Sequence, residues 1–137
     1  MVVYAGNDPV NFEDLQTDIY DGAGYLVKYD ASGILKTAAK ADTPIGVTID
    51  ESSRGDDYTQ HAVGDATVAV LPLSGVIFVK CEAIASGSVK QGMPLYVSDT
   101  NAGYADDDSG SATLLGYYFG KGGVAITAGQ LVPVSMA

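Results

Sequence analysis

The residues able to carry chemistry are few in this chain and poorly grouped. His61 is the only histidine; it follows Arg54-Gly-Asp-Asp57 and has no sequence partner for a nucleophile–base pair. It reads as solvent-facing. Cys81 is the only cysteine, so neither an internal disulfide nor a multi-cysteine metal site is available. It lies in the apolar run Gly75-Val-Ile-Phe-Val-Lys-Cys81 and reads as an inert core thiol, which leaves the compartment open. The densest set of oxygen donors is Asp99-Thr-Asn101 with Asp106-Asp-Asp108. Asp99, Asp106 and Asp108 are the candidate calcium ligands, but the glycine and the distal bidentate glutamate of a calcium loop are missing. A solvated turn is the expected reading, with no metal. Paired carboxylates can hydrolyse glycosides, yet the chain has no Trp to stack a sugar. Phe119-Gly-Lys-Gly-Gly123 lacks the spacing and hydroxyl of a phosphate loop. The zinc-protease, serine-hydrolase and P-loop patterns do not occur. Neither enzymatic activity nor a cofactor is expected.

The chain that must position these residues has 137 of them, a length that suits one domain. Hydrophobic residues make up 47%, enough for a core and too much for a disordered chain. The longest apolar stretch, Ala66 to Val79, is broken by Pro72, Ser74 and Gly75, so no membrane helix is expected. The first residues hold no Lys or Arg and no apolar leader core, so a secretory signal is not expected in this sequence either. Charge narrows the partners further. Seventeen acidic residues against seven basic ones give a net charge of −10. The seven cations are scattered, without the stripe that phosphate backbones or anionic membranes require. Neither nucleic acid nor a membrane is expected as a partner.

Seventeen glycines and many short runs rich in Val, Ile and Tyr predict an all-β fold. Strands are expected over 24–29, 34–37, 45–49, 66–71, 75–81, 94–97, 112–119 and 130–135. Turn signals separate them, including Asp30-Ala-Ser-Gly33, Asp99-Thr-Asn-Ala-Gly103 and Asp106-Asp-Asp-Ser-Gly110. This spacing predicts a small β-sandwich or barrel. Two short helices are also predicted. One starts at Asp8-Pro9 and puts Phe12, Leu15 and Ile19 on one face; the other is a single turn within Ala83 to Lys90.

An internal echo adds detail. Gly24-Tyr-Leu-Val-Lys-Tyr-Asp30, a turn and Thr43-Pro-Ile-Gly46-Val match Gly92-Met-Pro-Leu-Tyr-Val-Ser-Asp99, a turn and Ala112-Thr-Leu-Leu-Gly116-Tyr. The paired glycines stand 22 residues apart in the first copy and 24 in the second. Pseudo-repeated strand–hairpin–strand units follow from this spacing. Nine tyrosines raise the question of an interface. Tyr25, Tyr29 and Tyr96 read as sheet residues, whereas Tyr4, in the apolar start Met1-Val-Val-Tyr-Ala5, is the better interface candidate.

These strings also carry a resemblance. Gly24 to Asp30 with Thr43 to Ile49, then Gly64-Asp-Ala-Thr-Val-Ala-Val-Leu-Pro-Leu-Ser-Gly75-Val, Gly92-Met-Pro-Leu-Tyr-Val97 and Leu115-Gly-Tyr117 resemble the capsid decoration (cement) proteins of tailed double-stranded DNA viruses. The likeness spans roughly residues 20 to 135 and consists of turn glycines and strand patterning. It implies a β-tulip-like, non-enzymatic protein on the outer capsid surface of the virion. The partners it implies are the major capsid protein and copies of the chain itself, as a homotrimer at three-fold or pseudo-three-fold positions. An N-terminal arm of residues 1–20 would contact the partner, followed by a single β domain of 21–137. Val2, Val3 and Tyr4, with Phe12 behind them, are the expected capsid contacts. The insert Glu51 to His61 departs from the family pattern and has no assigned role. A β-sandwich binding module for carbohydrate or adhesion is the alternative function, and a hydrolase the third.

Overall fold

A computed structural model describes residues 10–12, 23–31, 35–49, 68–110 and 113–137. The protein is all-β, as its composition predicts. Among the described residues ten strands form: β1 (Val10–Phe12), β2 (Leu26–Tyr29), β3 (Leu35–Thr37), β4 (Gly46–Thr48), β5 (Val68–Pro72), β6 (Val76–Cys81), β7 (Pro94–Val97), β8 (Ala105–Asp106), β9 (Leu114–Tyr118) and β10 (Gln130–Met136). Alternating and β-branched runs produce β6, β7 and β10, whose inward residues Ile77, Val79, Leu95, Val97, Val132 and Val134 are buried.

The strands make two five-stranded units with one topology. The first is a sheet in the order β1-β5-β4-β2-β3, and the second a closed barrel running β6-β10-β9-β7-β8. Each strand of the first has a counterpart in the second, and the echoed segments are β2 with β4 and β7 with β9. A parallel pairing of Cys81 with Ala105 joins β6 to β8 and closes the barrel. Closure abolishes sheet edges in that unit. One core serves both units: Leu26, Ala38 and Val47 of the sheet belong to the same buried cluster as Ile77, Leu95 and Val132 of the barrel. Fully burying side chains of this size stabilises by about 1.5–3 kcal/mol each. Backbone bonds from Leu26 N–H to Gly103 O (2.8 Å), Gly103 N–H to Ala38 O (2.7 Å) and Lys80 N–H to Gly24 O (2.8 Å) stitch the units together.

Two expectations need correction. Val10–Phe12 is a strand, not the first turn of a helix; its backbone pairs Val10 with Val70, Asn11 with Ala69 and Phe12 with Val68. The ladder offered by β5 outweighs the local Asp8-Pro9 signal, as tertiary pairing does over weak helix propensity. Leu15 and Ile19 lie outside the described residues. The acidic stretch read as a turn contains β8, whose two residues are too few to show an alternation. The single turn expected in Ala83 to Lys90 is a 3-10 turn at Ser86–Ser88. Among the described residues no helix is long and apolar enough to cross a membrane.

Candidate functional site

The chemistry-bearing residues are not assembled into a catalytic group among the described residues. Cys81 is fully buried, and burial pushes its thiol up to about 12, with the nearby carboxylates adding to the shift. It is an inert core thiol. Asp99 sits 3.2 Å from the Lys40 ammonium, which holds its carboxyl below the ordinary range. Asp108 accepts a hydrogen bond from Gly110 N–H (3.0 Å), and Asp106 accepts one from Asp107 N–H (2.8 Å). No three His, Cys, Asp or Glu side chains among the described residues gather closely enough to hold a metal ion. His61 lies outside the described residues.

Glu82 explains the loop between β7 and β8. Its largely buried carboxylate accepts hydrogen bonds from Ser98 Oγ (2.7 Å), Asn101 N–H (3.0 Å) and Asn101 Nδ2 (2.9 Å). A buried carboxylate is tolerated when donors satisfy it. This network pins the start of the acidic loop to the end of β6 and serves the fold.

The arm candidates divide. Val2, Val3 and Tyr4 lie outside the described residues. Phe12 is in β1, at the end of the first sheet, with its backbone opposite Val68. By topology β1 is the counterpart of β6, so this stretch belongs to a sheet.

Among the described residues the clearest interaction feature is one wall of the barrel. Antiparallel partners project to the same side of a sheet. Phe78 stands opposite Pro133, and Phe119 N–H donates to Pro133 O (2.9 Å). Ser135 lies between Val76 and Tyr117, and Leu131 opposite Lys80. The outward side of β6, β10 and β9 is therefore an apolar grid. Phe78 and Phe119 are each 58% exposed, while Val76, Leu131 and Tyr117 are each more than two-fifths exposed. Exposed apolar residues grouped in this way mark an interaction surface. The grid runs into a groove of about 280 Å³, lined on the far side by Val47, Ile49 and Leu71 of the first sheet. Lys80 also stands on the grid, its ammonium 4.7 Å from the Tyr25 ring centroid. The sequence signals only the β6 part of this wall: Val76-Ile-Phe-Val lacks the polar alternation of a strand with one wet face.

Residues 5–137 match the family described as structural cement protein (E217 gp24/Pam3 gp6). No curated protein matches the chain.

Proposed function

The chain belongs to the phage structural cement proteins, and we propose that it binds the outer surface of the capsid and stabilises the lattice of the major capsid protein without catalysing a reaction. The exposed apolar wall of the closed barrel is the observation that carries this reading. A cement subunit must offer apolar surface on a framework that does not deform, and a closed barrel supplies that framework. Several modest contacts made at once, by wall and arm, gain through effective concentration. Residues 1–20 act as the arm and 21–137 as the body, with Val2, Val3 and Tyr4 reaching the major capsid protein and Phe12 anchoring them at the end of the sheet. The copies act as a homotrimer at three-fold or pseudo-three-fold positions.

Mixing the purified protein with expanded capsids lacking their decoration, followed by cryo-electron microscopy, tests the proposal. Ordered density at three-fold positions on the outer surface is expected, with Val3→Asp and Tyr4→Asp lowering its occupancy. Bare capsids at saturating protein, on the matching phage, overturn it.

A further inference from the structure

The residues of β5 decide where the chain before Val10 departs. Thr48 N–H donates to Tyr25 O (2.9 Å), so the Thr48 backbone faces β2. By the alternation of an antiparallel ladder, Val70 then turns its N–H and C=O toward β1, and Leu71 turns its own toward β4. The position before Val10 falls opposite Leu71 and needs no N–H; proline, which has none, stands there as Pro9. The next place on β5 that faces β1 is Pro72, which offers no donor either. This accounts for β1 beginning at Val10. The chain before it leaves β5 beside Leu71, a wall of the groove described above.

That groove sets Val47, Ile49 and Leu71 against Val76, Phe78 and Leu131, and no charged side chain lines it among the described residues. A charged segment would lose its hydration there without compensation. Of the three longer stretches outside the described residues, 13–22 holds Glu13, Asp14 and Asp18, and 50–67 holds Asp50, Glu51 and Asp56. Met1 to Asn7 carries no charged side chain and opens with the apolar Met1-Val-Val-Tyr-Ala5. Its length also fits. The register of Val10 opposite Val70, continued one residue at a time, brings Tyr4 level with Val76 on the groove's other wall. A tether this short holds the segment at roughly millimolar effective concentration, ahead of the same segment on another copy. We infer that the groove between the first sheet and the barrel is the seat of the chain's own Val2-Val3-Tyr4 in the free protein. The seated segment covers Val76, Phe78 and Leu131 and leaves Tyr117 and Phe119 open, since neither lines the groove. One consequence rests on the cement reading: capsid contact displaces the arm, so that the arm and the groove become available together. A free subunit thereby keeps part of its apolar surface covered until it meets the lattice.

A nitroxide attached at Ala5→Cys of the full chain, read by amide NMR, tests the inference; Cys81 is fully buried and does not take the label. The Ile49 and Leu131 amides lie on opposite walls of the groove. Both signals are expected to be lost in the free protein and to return when the nitroxide is reduced. The same label on a Val3→Asp/Tyr4→Asp chain should leave both intact, because the charges expel the segment while the tether stays. Intact signals in the parent overturn the inference. So do signals lost equally in both chains, which mean proximity through the tether alone. Mixing nitroxide-bearing chains with isotope-labelled chains that lack the nitroxide separates the copies, and loss in that mixture overturns self-seating in favour of another copy's arm. The amide spectrum itself reports that each variant is folded. A capsid-binding assay on the wild type separates the two readings. Capsid binding by a chain whose groove signals survive refutes the stowed arm alone, and a stowed arm on a protein that leaves capsids bare refutes the capsid role alone.

Discussion

Gly46 and Gly116 occupy equivalent places in the two units, each paired with the third residue after an echoed glycine: Val27 opposite Gly46, Leu95 opposite Gly116. Their shared cause is steric. A Cβ at Gly46 would collide with Val70 and stand 2.7 Å from Leu71 O, while one at Gly116 would meet Ser135 O and stand 2.9 Å from Met136 Cα. The next strand crosses too close for any side chain. The glycines that open the units, Gly24 and Gly92, are held at φ of 91° and 81°, where residues with a Cβ are strained.

These positions differ in what a methyl group meets, and stability should rank accordingly. Gly116→Ala presses on backbone that cannot rotate away and is expected to cost about 2–3 kcal/mol, typical of overpacking. Gly92→Ala meets no atom within 4 Å and carries only conformational strain, about 1–2 kcal/mol. Urea unfolding of the two variants measures the difference, and equal losses would contradict the steric account.

The echo is thus legible in the sequence itself, because turn geometry and strand crossing leave only glycine as a solution. Eight of the ten strands among the described residues also followed from alternation and turn signals. What stayed hidden depended on partners distant in sequence. Val10–Phe12 is a strand because Val68–Val70 lies beside it, and Ala105–Asp106 because Cys81 and Tyr96 flank it. The site was less readable still. Val76-Ile-Phe-Val hints at the wall, but the row that joins Phe78 to Phe119 across β6, β10 and β9 exists only after three separate segments meet.

Cys81 gives a probe of opening. Its thiol is fully buried and pushed up to about 12, so the reactive thiolate is nearly absent in the folded state. Labelling with an aromatic disulfide should follow the urea unfolding curve, with negligible reaction in native buffer. Rapid labelling of folded protein would show that the β6–β8 closure opens locally.

Glu82 should be far less replaceable than the exposed carboxylates around it. Glu82→Ala leaves Ser98 Oγ and the Asn101 donors without their acceptor, and an unsatisfied buried group costs about 1–3 kcal/mol. Asp108→Ala removes one bond in an exposed turn and should stay within about 0.5 kcal/mol of wild type. Hydrogen exchange at residues 99–103 reads the local effect, with protection lost in Glu82→Ala and kept in Asp108→Ala.

Two aspartates act on stability with opposite sign as pH changes. The Lys28 ammonium, 2.6 Å away, holds Asp42 below its ordinary value, so this pair stabilises at neutral pH and its contribution is lost as pH falls through the acid range. Asp106 behaves in reverse. Burial first, then its bond and proximity to Asp107 and the charge of Glu82, push it up to about 6 from 3.8, although the Asp107 N–H opposes the shift. The folded state therefore binds this proton more tightly than the unfolded chain, and stability falls as pH rises between those two values. Asp106→Asn keeps an acceptor for Asp107 N–H and removes the charge. It is expected to stabilise by about 1 kcal/mol at pH ~7.5, after discounting for solvent screening, and to have little effect at pH ~4. Thermal unfolding of both proteins at the two pH values decides it: a gain that is the same at both would mean that the Asp106 carboxylate carries no penalty in the folded state.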